Sequence, residues 1–188
     1  MALKKWGQMT PREINQLDKD KTIVILPLGM LGAADDTERV WAALRDLEAS
    51  AKEMMDSLNR DDQSPLDALQ ATVLPALWFG SAPGPAHVGT VTLPEAAYKD
   101  VVKTICLSVR DQGFNSVLLV ADNDDLARVA RAVTVELLQG EPRAWVAVHR
   151  PGGTNHGGQA AGPVAAVCLV ATALVSGVPN PACLLIPG

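Results

Sequence analysis

Two short runs without a charged side chain constrain this sequence more than any other feature. Residues 22–28 read TIVILPL, and residues 116–121 read SVLLVA. The first ends at Gly29 and the second at Asp122-Asn123-Asp124-Asp125. Each is strand length, rich in β-branched side chains and apolar at odd and even positions alike. A strand of that kind must be covered on both faces, as in a parallel sheet between helices.

The segments between them carry the complementary period. Thr10-Pro11-Arg12-Glu13 is a capping box with proline in the first helical position, opening a short helix that ends near Leu17. Val40, Trp41, Leu44, Leu47, Ala51, Met54, Met55 and Leu58 recur at helical spacing and predict a long helix over 36–58. A second strand is expected over 71–79, with Pro75 marking an edge or a bulge. A short extended piece follows at 88–92. Thr92-Leu93-Pro94-Glu95 then reads as another capping box, opening a helix to about Asp111. Gly113 and Asn115 make the turn into 116–121. Asp122 or Asn123 caps the next helix, which runs to about Leu138 and is stopped by Gly140. Residues 143–148 supply a fourth strand, and the Gly-rich loop 151–158 leads into a last helix. Alternating strands and helices with short connections predict a single domain over 1–188. Its expected architecture is a three-layer, doubly wound, mostly parallel α/β sheet.

Composition removes several function classes. The net charge is −5, the sixteen Lys and Arg are scattered, and aromatic residues make up 4% of the chain. Neither a nucleic-acid surface nor a base-stacking platform is expected from such a chain. The three cysteines, Cys106, Cys168 and Cys183, sit in apolar contexts without CxxC spacing, which fits buried thiols in a reducing, cytoplasmic setting. The N-terminus has no long apolar stretch and does not read as a signal peptide. Residues 160–178 carry no charge, but Gly162, Pro163 and Gly177 interrupt them. They read as a buried helix and a candidate subunit contact, so no membrane partner is expected.

Several segments together resemble the creatininase (creatinine amidohydrolase) family. IVILPLGMLG is similar to its first strand, and TVLPALWFG to its second. HVGTVTLPEAAYKDVVKTICLSVRDQGFNSVLLV keeps the order of its Pro-Gly-Thr segment, following helix and next strand. NHGG at 155–158 resembles the His-Ala-Gly before its last helix. The collinear order over roughly residues 5–175 carries the resemblance. It implies a creatininase-like fold, oligomers that are often hexamers, and metal-dependent hydrolysis of cyclic or linear amides. In such enzymes two divalent ions, zinc or manganese, polarise the carbonyl and generate hydroxide.

The ligand positions that the resemblance implies are altered here. The family's Glu-x-His after the first strand has no counterpart: ungapped, it falls on Gly32 and Ala34. With a deletion, ADDTERVWAAL matches the following helix, and Asp36 stands at a bridging aspartate. The ligating histidine after the third strand falls on Asn123, and its flanking glycines on Asp122 and Asp124. His156 matches the last histidine, but Gln159 replaces the acidic residue that follows it. Asparagine offers a weak carbonyl oxygen in place of a strong nitrogen. Asp36, Asp122, Asn123 and Asp124 therefore read as relic metal positions, and His156 as the surviving candidate catalytic group.

Simpler readings stand beside these. The acidic stretch 122–125 can be a helix cap and first turn, where carboxylates are favoured, or an oxygen-rich cation site. His87, His149 and His156 can be ordinary histidines or a converging set. The Gly-rich loop can be a plain connection or an anion cradle. The expected function is that of a degenerate family member without a competent two-metal site and with no resident cofactor. It would act as an oligomeric structural or regulatory subunit or bind a small molecule. The alternative is a metal-dependent amidohydrolase with a site rebuilt from Asp36, Asp122, Asp124, His87 and His156.

Overall fold

The computed structural model describes residues 4–29, 70–81, 91–121, 123–140 and 145–149. In chain order these form β1 (Lys4–Lys5), a 3-10 turn (Trp6–Gln8), α1 (Pro11–Asn15), β2 (Thr22–Leu28) and β3 (Gln70–Val73). There follow α2 (Glu95–Asp111), β4 (Ser116–Ala121), α3 (Asp124–Gly140) and β5 (Trp145–His149). The strands make one sheet in the order β1-β3-β2-β4-β5, with every neighbouring pair parallel. The predicted parallel α/β fold is therefore the observed one. The helices expected over 36–58 and after residue 158 lie outside the described residues.

The two charge-free runs are the middle of this sheet. Ile23 to Leu28 of β2 pair in register with Ser116 to Ala121 of β4. Side chains alternate across a strand. Val24, Leu26 and Leu28, with Val117, Leu119 and Ala121, join one core cluster with residues of α2 and α3. Tyr98, Val102, Cys106 and Val109 come from α2, and Leu126, Ala130, Val133 and Leu137 from α3. The alternate residues Ile23, Ile25, Leu118 and Val120 belong to the opposite face and are 0–4% exposed. Burial on both faces is why neither strand tolerates a charge. Each fully buried Leu, Ile or Phe here is worth about 1.5–3 kcal/mol over an exposed one.

β3 ends sooner than predicted, at Val73 rather than Phe79, and Pro75 accounts for the break. Leu74 N donates to Ile25 O at 2.8 Å, and Leu77 N to Pro27 O at 2.9 Å. Three steps along one chain match two along the other, so an extra residue is accommodated around Pro75. This is the bulge that its proline suggests. Pro27 is tolerated in a central strand for the same reason. In a parallel ladder a residue sends N–H and C=O to the same neighbour, so the donor Pro27 lacks falls opposite the bulge. Beyond it, Leu28 and Leu77 form a single bridging pair, and so do Gly80 and Thr92.

The first capping box forms as expected. Glu13 N donates to Thr10 Oγ1 at 3.3 Å, and Thr10 N to Glu13 Oε2 at 2.7 Å. The second does not. Thr92 is taken up in the bridge to Gly80, and α2 starts from Pro94 with no side-chain cap. With Pro94 in the cap position Glu95 falls at the first helical residue and Ala97 at the third, so no box can form. The turn from α2 to β4 needs Gly113, whose φ of +93° is costly for any other residue. Beside it, Phe114 is held between the edge of Trp6, at 5.4 Å between ring centroids, and the Lys19 ammonium, 3.9 Å over its ring. Sequence reading did not anticipate β1. Its two exposed lysines lie at the sheet edge, where charge discourages pairing with another chain.

Leu119→Ala removes a fully buried side chain from the strand between both faces. It should cost about 2–5 kcal/mol, read as a lower urea midpoint at unchanged slope. A loss under about 1 kcal/mol would contradict the central position given to β4.

Candidate functional site

The strand order fixes where a site can form. From β2 the chain moves to β3 on one side, then crosses to β4 on the other side. The direction of winding reverses between β2 and β4. In an open α/β sheet, the crevice at the carboxyl ends of two such strands is where ligands bind. Leu28 and Ala121 are partners in the ladder, so the two strands end abreast. Gly29 is then fastened by its N–H to Leu77 O at 2.8 Å. Gly29 and Ala121 thus flank one crevice.

Asn123 stands at the β4 side of that crevice, half-buried. Its Oδ1 accepts the N–H of Leu126 at 3.0 Å, and its carbonyl accepts the N–H of Ala127 at 3.0 Å. This is the bonding of a helix N-cap. Of the two capping residues offered by the sequence, Asn123 makes the bond. Asp124 and Asp125 lie in the first turn of α3, where free N–H groups favour negative charge. The same arrangement disfavours an anion at this helix end.

The described donors do not fit a two-metal centre. Asn123 directs its amide oxygen into the helix cap, and an amide oxygen is a weak ligand even when unengaged. Among the described residues, no group of three or more His, Cys, Asp and Glu is placed to hold a metal ion. The other predicted positions, Asp36, Asp122, His87 and His156, lie outside the described residues, as do Gln159 and the loop 151–158. His149 ends β5. The structure thus places two of the predicted site residues, Asn123 and Asp124, side by side at the switch point.

Two further groups bear on chemistry. Cys106 is a free, buried thiol, and burial pushes its pKa up to about 12. It stays protonated and unreactive at neutral pH, as its apolar context predicts. Glu95 escaped sequence reading in its real role. Arg128 donates to both of its oxygens, at 3.2 and 2.9 Å, and Lys99 approaches at 2.8 Å. Those donors hold the Glu95 carboxyl down to about 2. Lys103 and Glu136 pair at 2.9 Å further along the same two helices. The Arg128–Glu95 and Lys103–Glu136 pairs tie α2 to the helix that leaves the crevice. They join residues 33 positions apart, a separation no local pattern announces.

Comparison with known proteins gives this class of fold a family. A doubly wound α/β protein with its crevice between β2 and β4 is the class defined by the sheet. The creatinine amidohydrolase family profile matches residues 7–175, and the chain belongs to the creatininase family. A crystal structure of creatinine amidohydrolase (creatininase) matches with a TM-score of 0.60 and 18% identity. The match covers 78% of this chain and 57% of that one. A structure described as creatininase Mn gives 0.55 and 17%, covering 79% of this chain and 58% of that one. A putative creatinine amidohydrolase from Bacteroides fragilis gives 0.53 and 16%, covering 80% and 56%. This chain thus spans somewhat more than half the length of these structures. At such identities they speak to the fold alone. No curated protein matched the chain. Among the described residues no helix is long and apolar enough to cross a membrane. The charge-free stretch 160–178 lies outside them.

Asn123→Ala should lower stability by about 1 kcal/mol, while Asn123→Asp and Asn123→Ser stay within a few tenths, because both retain a capping oxygen. Equal losses in all three would argue against the cap. For Glu95, the depressed folded-state pKa means a contribution present above about pH 4.5 and lost as pH falls toward about 2. The stability gap between the protein and Glu95→Gln should therefore be small, salt-sensitive and largest near neutrality, narrowing on acidification. A gap independent of pH would count against the Arg128 pairing.

Proposed function

We propose that this chain is a creatininase-family protein whose two-metal centre has lapsed. It serves as an oligomeric structural or regulatory subunit, or as a receptor for a small molecule. One observation carries the reading. Asn123, which the family resemblance aligns with a ligating histidine, uses its side-chain oxygen to cap α3. A zinc or manganese centre needs strong nitrogen and anionic ligands, and loss of both kinds abolishes tight binding. The sequence agrees at the other positions: Gly32 and Ala34 offer no ligand, and Gln159 is uncharged.

A second reading has an observation of its own. The side-by-side ends of β2 and β4 would bring residues from two loops to one crevice. Asp36, Asp122, Asp124, His87 and His156 would then rebuild a divalent metal site for hydrolysis of an amide. One solved relative is described as creatininase Mn and another, a mutant, as Zn-Zn type.

Light scattering and an amide-hydrolysis assay separate the readings. The purified protein, supplied with zinc or manganese and offered cyclic and linear amides, should elute as a homo-oligomer and show no turnover above background. Turnover that disappears in Asp36→Asn or Asp122→Asn would overturn the proposal. Thermal stabilisation by carboxylate or phosphate compounds, lost in His156→Ala, would choose the small-molecule receptor over the subunit.

A further inference from the structure

We draw no further inference here: the strongest candidate, the exposed apolar pair Phe79 and Val91 flanking the Gly80–Thr92 bridge at the carboxyl end of the sheet, is an unpartnered surface, and nothing in the structure shows what covers it.

Discussion

The pairing of β2 with β4 is the constraint on which the rest depends. Six consecutive parallel pairs, from Ile23 with Ser116 to Leu28 with Ala121, are buried on both faces. A one-residue slip would move every side chain to the other face, so the register is fixed by packing on two sides at once. That register makes the two strands end together. It also sets the start of α3, because the residues following Ala121 must turn at once into the helix whose Leu126, Ala130 and Val133 pack back on β4. The crevice and the core are two consequences of one ladder.

Asn123 sits where those consequences meet. A helix leaving a strand this abruptly has free N–H groups facing the crevice. They can be satisfied by a bound anion, by water or by a side chain of the protein. Here the Asn123 side-chain oxygen takes the N–H of Leu126, and Asp124 and Asp125 add negative charge to the same turn. A capping asparagine fits an end that closes on itself. The cap is local and needs no ligand, and this separates the residue type at position 123 from the geometry around it. The ion pair of Arg128 with Glu95 then fixes the helix one turn further on against α2.

Much of the fold is legible in the sequence because it rests on periodicity. The uncharged runs, the Thr10 capping box, the glycine turn at 113 and the helix opening after residue 122 all follow from local patterns. What the pattern hid is non-local. The motif at Thr92 looks like a capping box, yet Thr92 is taken by a bridge to Gly80, a partner that only the tertiary fold supplies. β1 consists of two lysines and pairs only because β3 offers an edge. The Glu95–Arg128 and Lys19–Phe114 contacts join elements distant in sequence. At the site, the resemblance gave the family and the altered ligand positions. The sequence offers both Asp122 and Asn123 as the cap of α3, and the fold gives Asn123 the bond to Leu126.

Bound metal tests a lapsed centre most directly. The full chain, purified without a chelator or an affinity tag, would be soaked in zinc and then in manganese, dialysed, and taken to elemental analysis. A lapsed centre predicts no ion at stoichiometric level under either condition. A transition metal retained in stoichiometric amount would contradict it and restore the amidohydrolase reading.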